Sequence, residues 1–219
     1  MPARRACSGA LVASINSGTT PCAAISRDDS RRLCRNPGPP VRPMGMKDTM
    51  ASPRVTRNLD RYGNPSLPWS RCRDALVATT PTEDLTFFVA TVRPDGRPHS
   101  AGVGAVWVDD VLYFVSGPET RKSRNLAENP ACSLSVRLPG VDLTLEGSAV
   151  RVTDQPTLRR LADVYNAGGW PADVEGDAFT APYSAPSAGP APWHLYRLAL
   201  RRAVGVATAE PHGATAWEF

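Results

Sequence analysis

The sequence predicts a mainly β (α+β) protein with a few short helices, folded as a small closed or split antiparallel β-barrel. Three observations support this fold class. The 219 residues include 22 prolines, which disfavour a helical bundle because proline breaks helix interiors. Short apolar runs alternate with tight-turn sequences, as is typical of consecutive antiparallel strands. Hydrophobic residues make up 42% of the chain, which excludes the disordered and fibrous classes of protein.

The first elements follow a Pro- and Arg-rich arm at 51–68. Pro68 is suited to open a helix over Trp69–Thr80, with Trp69, Cys72 and Leu76 on one face. Three strands are then predicted as an antiparallel meander: Leu85–Arg93, Pro98–Val108 and Val111–Ser116. Pro94-Asp95-Gly96-Arg97 and Asp109-Asp110 supply the two turns between them.

The second half is predicted to begin with two helices and a hairpin. The predicted elements are a helix over Glu119–Glu128, a hairpin of Ala131–Leu138 with Val141–Thr153, and a helix that Thr153 or Asp154 caps. Leu158, Leu161, Ala162 and Tyr165 form the apolar face of this last helix. A long loop is expected over Gly168–Pro192. Trp193–Leu200 is predicted as a strand, with Ala203–Thr208 as its partner.

Residues 1–50 are expected to be a disordered N-terminal extension or a mis-called start, so that the folded domain spans residues 51–219. Residues 1–45 carry seven arginines and two acids, which leaves 18 basic and 19 acidic groups in the remainder. The isoelectric point near 9.0 therefore reflects the extension, and the domain itself is almost neutral. A nearly neutral domain does not favour nucleic-acid binding.

Cysteine usage and hydropathy indicate a cytoplasmic protein. None of the five cysteines forms a C-x-x-C pair, and only Cys72 and Cys132 lie in the domain. This pattern argues against a disulfide framework and against a zinc site. No run approaches the roughly 20 apolar residues that a membrane span needs, so no membrane association is expected.

The usual signatures of protein-borne catalysis are missing. His99, His194 and His212 lie far apart with no metal-ligand spacing, so exposed or structurally satisfied histidines are the better interpretation. The sequence also lacks a nucleophile elbow, a P-loop and a dinucleotide-binding fingerprint. We therefore assign no catalytic residue and no metal site.

One candidate site does emerge, at the start of the helix that follows the third strand. Thr120, Arg121, Lys122, Ser123 and Arg124 follow a Gly-Pro break, and helix N-termini with basic side chains favour phosphate. A plain solvated basic turn is the alternative. Gly102 and Gly104 on the neighbouring strand leave one face without side chains, so a flat ring system has room to lie against it.

The motif order resembles the pyridoxamine 5'-phosphate oxidase-like split-barrel superfamily, including its flavin- and deazaflavin-dependent oxidoreductases. The matching segments are PDGRPH at 94–99, VLYFVSGPETRKSRNLAENP at 111–130 and LEGSAVRVTD at 145–154. The resemblance implies an FMN-binding type of split barrel. It also implies a homodimer that holds FMN or an 8-hydroxy-5-deazaflavin coenzyme at the subunit interface. The cofactor-binding residues implied are Gly102, Val103, Gly104, Val115, Ser116, Thr120, Arg121, Lys122 and Ser123.

The sequence departs from the pyridoxamine phosphate oxidases proper. The positions of their phosphate-binding arginine and lysine fall near Ala101 and Ala105–Val106, and the C-terminal substrate motif is replaced by HGATAWEF. Oxidation of vitamin B6 is therefore not expected. The implied function is hydride transfer between the cofactor and a small organic substrate. A non-enzymatic flavin or deazaflavin carrier or sensor and a cofactor-free interaction module are the alternatives.

For several aromatic residues, the sequence leaves two alternative roles open. Trp170, Phe179 and Tyr183 in the long loop either form a lid over the site or pack the loop against the barrel. Trp193 and Trp217 either reach the pocket of the partner subunit or belong to the core and interface, and packing is the favoured role for both.

Overall fold

The computed structural model describes residues 52–80, 85–183 and 188–219, which form eleven strands and three helices. The expected extension at 1–50 lies outside the described residues. The helices are α1 (Trp69–Thr79), α2 (Arg121–Glu128) and α3 (Gln155–Ala167). The strands are β1 (Val55–Asn58), β2 (Phe87–Val92), β3 (Pro98–Val103), β4 (Ala105–Val108), β5 (Val111–Ser116), β6 (Ala131–Leu138), β7 (Val141–Val152), β8 (Asp173–Glu175), β9 (Ala178–Thr180), β10 (His194–Ala207) and β11 (Ala214–Glu218). Within these ranges, no helix has both the length and the apolar character needed to cross a membrane.

The strands form a split antiparallel barrel. β2 pairs with β6, β6 with β7, β7 with β10, β10 with β5, and β5 with β4. β3 pairs with the other edge of β2 and runs through Gly104 directly into β4, so the chain itself joins the two ends of this series. One edge of β10 pairs with β7 along its length, while the other edge is shared by β5 and β11. The barrel splits where β5 and β11 diverge from this shared edge.

Alternating side chains fill the barrel interior. Phe87 and Val89 on β2 are fully buried, whereas Phe88 between them points outward and is 54% exposed. α1 adds its predicted face to the same core, since Trp69, Cys72 and Leu76 are all buried. The Trp69 ring lies 5.4 Å from the Trp217 ring in an edge-on arrangement. Trp217 therefore packs in the core, which is the role that the sequence favoured.

A second apolar cluster lies between α3 and the barrel wall. The predicted face of α3 is buried there as expected, through Leu158, Leu161, Ala162 and Tyr165. The Asp154 carboxylate caps the helix by accepting a hydrogen bond from the Thr157 backbone N–H at 3.0 Å. The β8–β9 hairpin contributes the fully buried Phe179 to this cluster.

Two expectations for the strands are wrong. The expected strand Pro98–Val108 is two strands, because Gly104 interrupts the ladder and the chain changes partner from β2 to β5. The expected pair of Trp193–Leu200 with Ala203–Thr208 is a single strand, β10, with an irregularity between Leu200 and Arg202. The consecutive arginines Arg201 and Arg202 resemble a turn in sequence, but the chain continues past them without reversing.

β11 was not predicted as a strand, and it pairs with β10 and with β1. Two further elements were not predicted. β1 lies in the segment expected to be an arm, and it pairs with β11 although all four of its side chains are exposed. The segment expected to be a loop, Gly168–Pro192, contains the short hairpin β8–β9. Neither element carries an apolar alternation that would mark it in the sequence. Each is held in place by backbone pairing and by contacts from distant segments.

Candidate functional site

The candidate site begins at the break between β3 and β4. The Gly104 carbonyl leaves the β3 ladder and accepts a hydrogen bond from the Val115 backbone N–H at 3.3 Å. Gly102 and Gly104 are both exposed. A Cβ atom built on Gly104 would meet no other atom within 4 Å, so the missing side chain is not required by packing inside the protein. The break therefore exposes bare backbone that a planar ligand can approach closely.

A cavity of about 420 Å³ opens along this bare backbone. Its volume is in the range of sites that hold small molecules and cofactors. The lining residues come from β3, β4, β5, α2, α3 and adjoining segments, including Trp193 directly before β10. They include Gly102, Val103, Gly104, Val115, Ser116, Gly117, Lys122, Tyr165, Trp170 and Trp193. Lys122 and the two glycines thus border the same cavity.

The start of α2 is fixed by a cluster of three hydroxyl groups. Thr120 is the N-cap residue, and its side-chain oxygen accepts a hydrogen bond from the Ser123 backbone N–H. The hydroxyl groups of Ser116 and Thr120 share a hydrogen bond of 2.9 Å, and Ser123 Oγ donates to Ser116 Oγ at 2.8 Å. These bonds tie the helix to the end of β5. Among the described residues, no acceptor pairs with the backbone N–H groups of Arg121 and Lys122.

Lys122 is a buried cation that borders the cavity. Its side chain is only 7% exposed, and it makes no hydrogen bond or ion pair with any residue in the described ranges. Burial lowers the pKa of the Lys122 ammonium from its ordinary value. A buried charge without a partner is costly, and an anion bound in the cavity would offset that cost. The helix dipole and the free N–H groups at the start of α2 act in the same direction.

The predicted site residues separate into two groups. Gly102, Val103, Gly104, Val115, Ser116 and Lys122 all line the cavity. Thr120 and Ser123 do not line it, and their hydroxyl groups bond to Ser116 and fix the helix start. Arg121 is exposed and also lies outside the lining, so Lys122 is the member of the basic pair that faces the cavity.

Three aromatic residues form a wall of the cavity that the sequence did not assign as a unit. Trp170 lies 5.1 Å from the Tyr165 ring and 5.7 Å from the Trp193 ring. The Tyr165 hydroxyl approaches the Gly104 carbonyl oxygen at 3.4 Å. Helical spacing predicted that Tyr165 would be buried, but no sequence signal indicated that it would border a cavity. The three aromatic residues of the long loop differ in position. Phe179 is buried in the packing between the loop and the barrel, Trp170 faces the cavity, and Tyr183 is 44% exposed beside Trp193.

The remaining titratable groups supply no metal site or activated nucleophile within the described residues. No group of three or more His, Cys, Asp or Glu side chains is placed to hold a metal ion there. Burial raises the pKa of the Cys132 thiol to about 11 and that of Cys72 to about 12, which leaves both thiols protonated near neutral pH. The pKa of His99 is lowered, first by burial and then by the charges of Arg93, Lys122 and Arg121.

Comparison with known proteins agrees with this architecture. The family model described as pyridoxamine 5'-phosphate oxidase matches residues 74–186. A curated relative, the pyridoxine/pyridoxamine 5'-phosphate oxidase of Acidothermus cellulolyticus, is 36% identical over 86 residues. That alignment covers 38% of this chain and 38% of the relative, so the match spans well under half of either protein.

Solved structures of similar proteins were also found. An F420 reductase is 24% identical with a TM-score of 0.39, and the match covers 54% of this chain and 88% of that chain. A pyridoxamine 5'-phosphate oxidase-related, FMN-binding protein from Nostoc punctiforme is 16% identical with a TM-score of 0.46. This second match covers 68% of this chain and 88% of that chain.

Proposed function

Because the chain belongs to the pyridoxamine 5'-phosphate oxidase family, we propose that it is an oxidoreductase that uses FMN or an 8-hydroxy-5-deazaflavin coenzyme. In this proposal, the protein transfers a hydride between the bound cofactor and a small organic substrate. One observation carries the proposal. Lys122 is a buried cation without a partner in the described chain, and it borders the same cavity as the bare backbone of Gly102 and Gly104.

The start of α2 would hold the cofactor phosphate. Lys122 supplies the charge, and the backbone N–H groups of Arg121 and Lys122 supply donors that are otherwise unused in the described chain. A charge-assisted hydrogen bond of this kind is roughly twice as strong as a neutral one. Ser116, Thr120 and Ser123 act indirectly, because their hydroxyl cluster fixes the orientation of the helix start.

The break at Gly104 would receive the ring of the cofactor. Gly102 and Gly104 present backbone without side chains, while Val103 and Val115 add apolar surface to the cavity lining. When bound, the flavin or deazaflavin ring supplies the hydride chemistry, and the protein contributes orientation and exclusion of water. The absence of an assigned catalytic side chain is compatible with this division of roles.

We also propose that the protein is a homodimer whose interface completes the site. Phe88 is 54% exposed, and its cross-strand neighbours are Gly102 on β3 and Ser135 on β6. Directly paired residues on neighbouring antiparallel strands project to the same face of the sheet. A second copy that covers Phe88 would therefore also cover the bare backbone at Gly102. Replacing Phe88 by Glu is expected to give a monomer in analytical ultracentrifugation and to weaken FMN binding.

A cytoplasmic location completes the proposal. Both cysteines in the described ranges, Cys72 and Cys132, are buried free thiols. Free thiols are typical of proteins in reducing compartments.

We call Lys122 and the backbone N–H groups of Arg121 and Lys122 the phosphate socket. The socket is tested by comparing the binding of FMN with that of riboflavin, which has the same ring but no phosphate. Lys122→Met is expected to weaken FMN binding by roughly tenfold to a hundredfold, because a charged hydrogen bond is lost. Riboflavin binding should change by less than about threefold. Arg124→Met is the matched control, since Arg124 is an exposed cation on the same helix. Equal losses for FMN and riboflavin, or no loss of FMN binding, would contradict the socket.

The cofactor itself is identified by parallel fluorescence titrations with FMN and the deazaflavin coenzyme. An enzyme is expected to reoxidise the pre-reduced form of its cofactor when an organic acceptor is added, whereas a carrier or sensor would only hold it. A protein that binds neither cofactor would contradict the proposed function as a whole.

A further inference from the structure

Lys122 differs from the other strong bases of the chain in residue type as well as in burial. The sequence has 25 Lys and Arg side chains, and only Lys47 and Lys122 among them are lysines. Its neighbours on α2, Arg121 and Arg124, are both exposed arginines. A guanidinium stays protonated in proteins, whereas a lysine amine can lose its proton and become a nucleophile. Among the described residues, the one buried strong base is thus also the one that can react as a neutral amine.

The surroundings of Lys122 favour the neutral form of its amine. The side chain is 7% exposed and has no hydrogen-bond or ion-pair partner in the described ranges. Burial lowers the pKa of the Lys122 ammonium. The charges that act on His99 come from Arg93, Arg121 and Lys122, so other cations lie in the same region and no described anion compensates them. Near neutral pH, a larger fraction of Lys122 than of an exposed lysine therefore carries a free lone pair.

The amine of Lys122 is also open to a small molecule. The residue lines the cavity of about 420 Å³ together with Gly102, Ser116 and Gly117, which leave this part free of bulky side chains. Unpartnered side-chain polar atoms that are fully enclosed in the described residues include Trp193 Nε1, but Lys122 Nζ is not one of them. The lysine nitrogen is therefore shielded from bulk water and still accessible from the cavity.

The charge state of the amine decides which ligands can react with it. An anion near Lys122 would favour the ammonium form, which binds by charge and has no lone pair to donate. This is the form that the proposed function assigns to the cofactor phosphate. An uncharged carbonyl compound leaves the neutral form available, and a lysine amine removed from water is a nucleophile toward carbonyl carbon. The two charge states thus select two different classes of ligand.

We propose that Lys122 of the cofactor-free protein captures small uncharged aldehydes as an imine and that this modification blocks the phosphate socket. The lysine nitrogen forms a bond to the aldehyde carbon, and the carbonyl oxygen leaves as water with the two amine protons, so that a C=N bond remains. Nothing is oxidised or reduced in this step. The neutral imine lacks the charge that the socket requires, so aldehyde capture and cofactor binding exclude each other. Only this last statement depends on the proposed function.

The test is reductive trapping with pentanal and 5-oxopentanoate, which share the chain and the aldehyde but differ by a terminal carboxylate. Cyanoborohydride delivers a hydride to the imine carbon, and peptide mass spectrometry then measures the stable secondary amine at each lysine. At about pH 7, where an ordinary lysine is almost fully protonated, pentanal should label Lys122 of the full-length, cofactor-free protein at least about fivefold faster than Lys47. With 5-oxopentanoate the preference for Lys122 should be smaller. Equal labelling of both lysines by pentanal, or a larger preference with 5-oxopentanoate, would overturn the proposal.

Two variants and an unfolded sample show whether the folded structure activates Lys122. Lys122→Arg keeps the positive charge and should lose labelling at this position, with Lys47 unchanged. Arg124→Lys is the matched control, because it places an exposed amine on the same helix. That amine should be labelled within about twofold of the rate of Lys47, as should Lys122 of the wild type in guanidinium chloride. Labelling at position 124 as fast as at Lys122 would show that the cavity confers no special reactivity, and the proposal would be wrong.

FMN separates this proposal from the proposed function. Saturating FMN should slow the labelling of Lys122 by pentanal at least about fivefold and leave Lys47 unchanged, because the phosphate holds the lysine in its protonated form. If Lys122 captures pentanal and FMN binds without protecting it, the phosphate socket is wrong and the capture itself stands. If FMN binds and Lys122 is labelled no faster than Lys47, the capture is wrong and the proposed function stands.

Discussion

Ser123 Oγ donates a hydrogen bond of 2.8 Å to Ser116 Oγ, and this bond joins the first turn of α2 to the last residue of β5. Both side chains are buried, at 4% and 2% exposure respectively. Lys122 directly precedes Ser123, so the bond fixes the segment that directs the lysine toward the cavity. The position of the proposed phosphate socket thus depends on two neutral hydroxyl groups in addition to the charged residue.

Ser123→Ala is expected to weaken both the fold and the proposed socket. Removing one partner of a buried hydrogen bond costs about 1–2 kcal/mol of unfolding free energy. FMN affinity should fall several-fold, because the start of α2 is held less firmly. Urea denaturation and FMN titration measure the two effects.

Thr215→Val is the matched control for Ser123→Ala. The buried Thr215 hydroxyl accepts a 2.8 Å hydrogen bond from the Leu67 backbone N–H, and Thr215 does not line the cavity. Its loss should lower stability without altering the affinity for FMN. Equal FMN affinities of Ser123→Ala and wild type would show that the hydroxyl cluster does not position the socket.

The fold was largely predictable where local patterns and core packing agree. The apolar faces of α1 and α3, the hairpin turn at Gly140 and the hairpin of β6 with β7 all follow from alternation, helical spacing and turn residues. The change of partner at Gly104 and the continuity of β10 were not predictable. Both depend on which distant strand is available for pairing, and this information is not present in a local window of sequence.

In the candidate site, too, local features were predictable from the sequence and long-range contacts were not. Lys122 and the two glycines were recognisable because a basic helix start and a strand without side chains are local features. The contribution of Tyr165 was not recognisable, since its helical position predicted only that it would be buried. Arg121 and Lys122 are adjacent and chemically alike in sequence, and only the orientation of α2 places one in solvent and the other at the cavity.

Gly104→Val is expected to block the cofactor while leaving the fold intact. A Cβ at this position meets no atom within 4 Å, so stability should change by less than about 1 kcal/mol. The added methyl groups would occupy the space proposed for the ring, so the affinities for FMN and riboflavin should both fall by at least about tenfold. This shared loss distinguishes the ring site from the phosphate socket, where only FMN binding is expected to suffer.

Gly147→Ala is the comparison for Gly104→Val, because it is expected to lower stability without acting on the cofactor site. Its added Cβ would clash with the Ala199 backbone oxygen where β7 pairs closely with β10. This variant should be strongly destabilised in thermal unfolding, by a mechanism that does not involve the cofactor. Normal riboflavin binding by Gly104→Val would exclude a ring lying at the strand break.

Lys122→Met is expected to stabilise the cofactor-free protein at about pH 7, by on the order of 1 kcal/mol, because it removes a buried charge without a partner. The pKa of Lys122 in the folded protein is lowered from the ordinary lysine value. Between the folded and unfolded pKa values the unfolded chain binds more protons, so the stability of the wild type rises with pH. The advantage of Lys122→Met should therefore shrink as the pH rises through this window toward the ordinary lysine pKa.

Thermal unfolding with and without FMN checks this prediction. Saturating FMN should reverse the order, since the wild type gains stability from the bound ligand and Lys122→Met gains less. Arg124→Met is again the control: it keeps Lys122, so the difference between its stability and that of the wild type should not change with pH in this range. A cofactor-free Lys122→Met protein that is less stable than wild type at neutral pH would mean that Lys122 already has a partner.

His99 is expected to report phosphate binding through its own titration. Its pKa is lowered first by burial and then by the positive charges of Arg93, Lys122 and Arg121. At a pH between this lowered pKa and the ordinary histidine pKa, the unfolded state binds more protons than the folded state. The free energy of unfolding therefore rises with pH through this window and levels off above it. A phosphate on Lys122 would offset the cationic repulsion and raise the pKa of His99.

NMR titration of the imidazole resonances measures this shift directly. FMN should raise the pKa of His99, and riboflavin should raise it less because it adds no negative charge. Lys122→Met should raise it in the cofactor-free protein, since one of the repelling cations is gone. If FMN and riboflavin shift the pKa of His99 equally, the phosphate does not bind at the start of α2.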